Sequence, residues 1–399
     1  MRTAKLDLEP ALLTEFERAV HDIEPVAGLT HQFYRYPARF SPAFARAAIK
    51  VFTSPGDLVL DPFAGGGTTL VEARIHGRPS IGADVSELAR FVTRVKTTPL
   101  NQADTNQLRG WVVGVVNSLN VWNYPGALWL EDERANNLDG RETWRIKRLV
   151  ALALGQVPKL KTRSQVDFAR CVVLKTAQWA LDGRKSVPPV ADFRKRMLSN
   201  FDSMLAGIEE FSLAADEAKL TYGGSTRLDS ICLATAAADL HAQAVWSTLP
   251  RPKLILTSPP YPGIHVLYHR WQVLGRRETP APFWITDTLD GHGPSHYTFG
   301  HRTNEDRYFA DALKSFKSLA LICSGDTLMV QLVGFSTPDR QLPLYLDTLA
   351  TAGFEEIRSL PVSRLWRQIP NRKWHADIKG ATASSHEVVL VHRRRQPLR

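Results

Sequence analysis

A chain of 399 residues, 44% of them hydrophobic, can bury a large core and has room for one catalytic unit plus an elaboration. Its apolar runs fall short of the ~18 residues of a membrane span, and the opening MRTAKLDLEPALL lacks the basic start and apolar middle of a signal peptide. A net charge of +10 favours a polyanionic partner, and Cys171, Cys232 and Cys323, widely spaced and without CxxC, fit buried thiols in a reducing cytoplasm.

In chain order, PAFARAAIKVF (42–52) predicts a short helix. DLVLDPF (57–63) is a near-continuous apolar run, as in a strand buried on both faces. GGGTT breaks it, and TTLVEARIHG (68–77) returns to helical spacing. PSIGADVS (79–86) reads as a second strand ending in an acid, and ELARFVTRVK (87–96) as a second helix. Strand–helix–strand–helix order predicts an α/β fold on a parallel, Rossmann-like sheet. From residue 101 to 227 strand signals are sparse and apolar positions recur at helical spacing, as in DFARCVVLKTAQWAL. Strands resume at PKLILTSPPY (252–261) and DTLMVQLVGF (326–335), the latter preceded by the helix DRYFADALKSFKSLALIC. EEIRSLPVS and HEVVLVHRR suggest a closing antiparallel pair. The expected organisation is a mostly parallel sheet with a C-terminal antiparallel strand, divided into a cofactor-side part (1–100), a mostly helical insertion (101–227) and a catalytic part (228–399).

Three motifs carry chemistry. In DPFAGGGTT (61–69), glycines at a strand–helix turn let backbone N–H groups approach a ligand closely. A P-loop would need Gly-Lys-Ser/Thr, and a dinucleotide fingerprint would need glycine where Leu70 stands. The turn of a class I methyltransferase remains, beside a purely structural turn. Asp84 ends the next strand, where an acid can accept both ribose hydroxyls of an adenosine; alternatively it caps the following helix, as Ser86 could. In TSPPY (257–261), two prolines at a strand end stiffen the backbone and leave a carbonyl facing outward. That carbonyl and the Ser258 hydroxyl can accept hydrogen bonds from an amino group, and Tyr261 could stack on a base lifted from a duplex.

Together DPFAGGGTT and TSPPY resemble the amino-methyltransferases of DNA modification, with the Ser-Pro-Pro-Tyr form resembling the cytosine-N4 branch. The resemblance implies S-adenosylmethionine as cofactor. YPARFSP resembles the segment that covers the methionine end of that cofactor, which gives roles to Tyr36, Pro37, Arg39 and Phe40. It assigns the glycine turn to Asp61, Phe63, Ala64, Gly65, Gly67 and Thr68, the ribose to Asp84, the adenine side to Asp239, and the end of the catalytic strand to Thr257. Ser258, Pro259, Pro260 and Tyr261 are its catalytic residues. Many members carry His where this chain has Tyr36, and Lys253 stands where an acid is usual. Double-stranded DNA and a cognate restriction endonuclease are the implied partners. Adenine N6 and an RNA base are alternative targets. A non-catalytic DNA-binding protein on a decayed fold is disfavoured by the intact Gly65, Gly67 and Asp84. No cysteine follows a proline, so the expected chemistry is direct transfer without a covalent cysteine adduct, and it requires no metal.

Charge is uneven. Residues 141–196 hold fourteen Lys/Arg against four Asp/Glu, and residues 358–399 ten against two. Arg184, Lys185, Arg194 and Lys195 in the insertion are candidate phosphate contacts. So are His269, Arg270, Arg276 and Arg277, in the aromatic and basic run HVLYHRWQVLGRRE (265–278), which equally reads as an amphipathic helix with Leu267, Trp271 and Leu274 inward. His265, His269, His292, His296 and His301 lack an accompanying cysteine or HExxH motif and read as polar residues near the substrate groove rather than a zinc site.

Overall fold

The computed structural model describes residues 8–36, 40–125, 131–222, 229–264, 270–275, 277–289, 299, 304–368 and 386–395. Strands β1 (Val59–Asp61), β2 (Ser80–Ala83), β3 (Ser230–Leu233), β4 (Leu254–Thr257), β7 (Leu328–Gly334), β8 (Phe354–Glu356) and β10 (His386–Arg394) form the main sheet in the order β3-β2-β1-β4-β7-β10-β8. The first five are mutually parallel, and β10 runs antiparallel to β7 and β8. An eighth strand of this sheet, β9 (Trp366–Gln368), also pairs with β10. This is the α/β architecture expected, and the closing antiparallel pair is β8 with β10.

Alternation along each strand divides the core between the two faces. Leu254, Leu256, Val330, Leu332, Val389 and Val391 turn toward the helices Pro10–Val20 and Pro42–Phe52. Leu60, Ile81, Ile255, Met329, Val333 and Leu390 turn to the other side, against the helix Glu305–Ile322. Ser41 starts the helix Pro42–Phe52 by accepting from the Phe44 N–H, with proline at its first position.

The insertion is helical, with Gln102–Ser118, Trp144–Leu154, Arg163–Leu181 and Val190–Tyr222 as its long elements. Its apolar faces share one buried cluster with Leu88, Phe91, Val92 and Val95 of the helix Glu87–Thr97. The block is therefore built onto the sheet's own helices. No helix among the described residues is long and apolar enough to cross a membrane.

One expectation fails. The segment past the TSPPY turn is not a helix in its described part: β5 (Trp271–Val273) and β6 (Arg277–Thr279) form an antiparallel hairpin. Leu274 (φ 51°) and Gly275 (φ 82°) take left-handed conformations that end any helical run. Trp271 is buried and donates its indole N–H to the Tyr34 hydroxyl at 3.0 Å. Residues 265–269 and 276 lie outside the described residues.

Candidate active site at the switch point of the sheet

The strand order reverses between β1 and β4, and in open α/β sheets the carboxyl ends of such strands form the binding crevice. Here the two ends are tied together. Asp61, the last residue of β1, accepts hydrogen bonds from the Thr257 hydroxyl (2.7 Å), the Thr69 hydroxyl (2.7 Å) and the Phe63 N–H (3.2 Å). Burial pushes its carboxyl up to about 6, although these three donors oppose the shift. The glycine turn and the TSPPY turn are thus pinned to each other through one carboxylate. Thr257 is fully buried and spends its hydroxyl on Asp61, so it positions the turn and does not line the crevice.

Above this junction lies a cavity of about 460 Å³, within the roughly 300–1,000 Å³ usual for small-molecule sites. Tyr36, Phe40, Asp61, Phe63, Ala64, Gly65, Thr68, Asp84, Asp239, Ser258 and Pro260 all line it. Pro37, Arg39, His269 and Arg276 lie outside the described residues, as do His265, His292, His296 and His301. Gly67 faces away. It holds φ 74°, and a Cβ there would stand 2.8 Å from the Thr93 hydroxyl, so its role is the turn and the close passage of the helix Glu87–Thr97. That helix also braces the turn from behind: the Lys96 ammonium donates to the Gly66 carbonyl (2.7 Å) and the Thr93 hydroxyl to the Gly65 carbonyl (3.3 Å). Tyr36 lies so close that a Cβ on Gly65 would meet its ring at 3.2 Å.

Asp84 does not cap the following helix. Ser86 does so, accepting from the Ala89 N–H. One Asp84 carboxylate oxygen accepts from the Gly65 N–H (2.9 Å) and the other from the Ser86 N–H (2.8 Å). Burial raises its pKa, and these N–H groups act against that. The carboxylate is fixed from behind, and its remaining lone pairs serve the cavity it lines.

The Ser-Pro-Pro-Tyr segment is split by its surroundings. Ser258 and Pro260 reach the cavity; Pro259 and Tyr261 are buried and are not among its lining residues. The Pro260 carbonyl accepts from the Tyr308 hydroxyl at 2.6 Å, which stiffens the turn further. The Tyr261 ring packs against Gly334, and its hydroxyl donates to Glu387 at 2.8 Å. The ring face that the sequence expects beside a base thus stands behind the turn in this structure, 6% exposed and outside the cavity lining. Beside Asp239, the motif reading missed Thr235, Ala236 and Ala237 before and within the short helix Ala237–Ala242, and Arg307, Asp311, Lys314 and Ser315 on one face of Glu305–Ile322, all of which line the cavity. Only the i, i+4, i+7, i+8 spacing of those four residues hinted at a shared face.

None of the three cysteines lines the cavity, and burial raises the thiol pKa of each, to about 12 for Cys171 and Cys323 and upward for Cys232. No group of three or more His, Cys, Asp or Glu among the described residues could hold a metal. Lys253 forms an ion pair with Asp326 at 2.7 Å, away from the crevice.

The candidate phosphate contacts sit in two adjoining places. Arg184 bridges to Val273 of β5, and the Gly183 N–H donates to the Gln272 carbonyl, so the insertion abuts the hairpin that carries Arg277. The Arg184 and Arg196 guanidinium groups each lie 4.7 Å from the Trp179 ring, and Arg184 also donates to the Trp179 carbonyl. Arg194 donates to the Leu119 carbonyl. Arg270 is half-buried, whereas Lys185, Lys195 and Arg277 are exposed.

Residues 17–90 match the family N6_N4_Mtase, described as DNA methylase. The Type II methyltransferase M.MvaI of Kocuria varians is 30% identical over 105 residues, 24% of this chain and 23% of that protein. The Type II methyltransferase M.MjaII of Methanocaldococcus jannaschii is 33% identical over 115 residues, 28% of this chain and 20% of that protein. The matches thus span under a quarter of either relative. Among solved structures, TrmN from Thermus thermophilus aligns at 12% identity and TM-score 0.31, over 92% of this chain and 53% of that one. The rRNA methyltransferase aviRa from Streptomyces viridochromogenes aligns at 11% and 0.31, over 91% and 89%. Residues 17–90, which build the first strand, the glycine turn and Asp84, are thus similar to a DNA methylase family, and enzymes of that kind take their methyl group from S-adenosylmethionine.

Proposed function

We propose that the chain transfers a methyl group from S-adenosylmethionine to the exocyclic N4 amino group of cytosine in duplex DNA, as the modification enzyme of a restriction system. One placement carries the reading: Ser258 and Pro260 line the same cavity as Gly65 and Asp84. A donor held by the glycine turn and a base amino group held at the SPPY turn would then meet in one enclosure. The residues suit such a donor. Gly65 and Gly66 leave the backbone open beside Tyr36, Asp84 presents a fixed carboxylate for a ribose, and the exposed Asp239 lines the same cavity. Bound there, the donor would supply an electrophilic methyl group.

The protein's own contribution is orientation. An exocyclic amino nitrogen shares its lone pair with the ring and is a weak nucleophile. Hydrogen bonds from it to the Ser258 oxygen and the Pro259 carbonyl would favour a tetrahedral nitrogen aimed at the methyl group. The absence of a cysteine from the described lining supports direct transfer over a covalent adduct. Reaching a paired base requires its extrusion from the duplex, and the exposed Lys185, Lys195 and Arg277 would hold the flanking phosphates. Incubating the protein with unmodified DNA and labelled S-adenosylmethionine, then digesting the DNA for mass spectrometry, tests the proposal. N4-methylcytosine is expected. N6-methyladenine alone would overturn the choice of base, and no labelled base at all would overturn the activity.

A further inference from the structure

Resting on that reading, we propose that Glu387 is a positioning residue that, through the Tyr261 hydroxyl, sets the Ser258 hydroxyl as a hydrogen-bond acceptor for the target amino group. A serine at this position raises a chemical problem. The amino group donates, so its partner must accept, yet a hydroxyl can rotate to donate instead. An Asp or Asn oxygen at the head of the tetrapeptide is an acceptor by constitution; a serine has to be told.

The chain of contacts behind the turn does this. A carboxylate can only accept, so the 2.8 Å contact between Tyr261 and Glu387 commits the phenol proton to Glu387. The phenol oxygen is then the acceptor in its 2.8 Å contact with Ser258, and the serine proton points back toward Tyr261. The Ser258 lone pairs are left on the cavity side, where the residue lines the wall. The direction of every proton follows from the one group that has none to give.

Strand register builds the device. On β10, Glu387 pairs with Gly334 of β7 on one side and Arg367 of β9 on the other. Glycine is needed at 334, because a Cβ there would stand 2.9 Å from the Tyr261 ring. Arg367 grips the other Glu387 oxygen with two donors, at 2.9 and 2.7 Å, which compensates the buried charge and keeps the first oxygen turned to Tyr261. Glu387 is 3% exposed and outside the cavity lining, so it acts through Tyr261.

The test is steady-state methyl transfer from labelled S-adenosylmethionine to unmodified DNA by the wild type, Tyr261→Phe, Glu387→Gln and the double variant. Each single variant should lower kcat by about tenfold, the equivalent of one misdirected hydrogen bond. The KM for DNA and the calorimetric Kd for S-adenosylmethionine should stay within about twofold. The double variant should be no slower than the worse single, because both break one chain. Wild-type kcat in either variant, a loss shared equally by kcat and cofactor affinity, or losses that multiply in the double would overturn the relay. If Glu387→Gln does not fold, Tyr261→Phe carries the same prediction without disturbing the Arg367 pair. A wild-type protein that moves no label to DNA refutes the methyltransferase reading itself, which separates the two failures.

Discussion

Replacing Asp84 by Asn keeps the volume of the side chain and changes one oxygen to a donor. In the folded protein the two carboxylate oxygens already accept from Gly65 and Ser86, at 2.9 and 2.8 Å. Whichever way the amide turns, its NH2 faces a backbone N–H, so a donor in a half-buried site loses its acceptor at a cost of about 1–3 kcal/mol. The same substitution removes the negative charge and one acceptor offered to the ribose, a further loss of similar size that appears only when the cofactor binds. Affinity for S-adenosylmethionine should therefore fall by roughly 5- to 150-fold. Calorimetric titration of both proteins measures this directly, and urea denaturation without cofactor reads the scaffold part separately. An unchanged Kd in a folded variant would refute the ribose assignment, and a loss confined to stability would make Asp84 a brace of the glycine turn only.

Two other expectations follow from burial and charge. His392 on β10 is buried, its Nδ1 lacks a hydrogen-bond partner among the described residues, and burial lowers its pKa from 6.5 to about 4. A depressed value means that its contribution is fully present above pH 6.5 and is lost as the pH falls toward 4. Urea denaturation should show wild type losing about 3 kcal/mol more than His392→Leu between pH 7 and 4; parallel pH profiles would show that the histidine does not titrate in this window. For the basic surface, Lys185 and Lys195 are the exposed pair, whereas Arg184 and Arg194 are engaged with the insertion's own backbone. Changing both lysines to Ala should flatten the log–log salt dependence of DNA binding by about 1.8 with cofactor affinity unchanged, and an unaltered slope would move the phosphate groove elsewhere.

Much of this protein was legible from the chain because it depends on short-range rules. A glycine run after a buried apolar strand demands a turn with positive φ, which Gly65 and Gly67 supply. An acid at the end of the next strand, and two prolines after an apolar run, announce where strands stop. What the chain could not disclose are relations set by strand order and register. Asp61 and Thr257 are 196 residues apart and meet because β1 and β4 become neighbours where the sheet reverses. Glu387 reaches Tyr261 across 126 residues because β10 inserts antiparallel beside β7, opposite a glycine. The face of Glu305–Ile322 that closes the cavity is one amphipathic stripe among several until packing chooses it. The hairpin after the TSPPY turn deceived the helical reading for the same reason: in so short a run, strand pairing and the burial of Trp271 outweigh the spacing of apolar residues. Local backbone preference is written residue by residue, but a contact between distant residues exists only once tertiary packing selects their neighbours, and in this protein those contacts decide which atoms of the Ser-Pro-Pro-Tyr turn face the cavity.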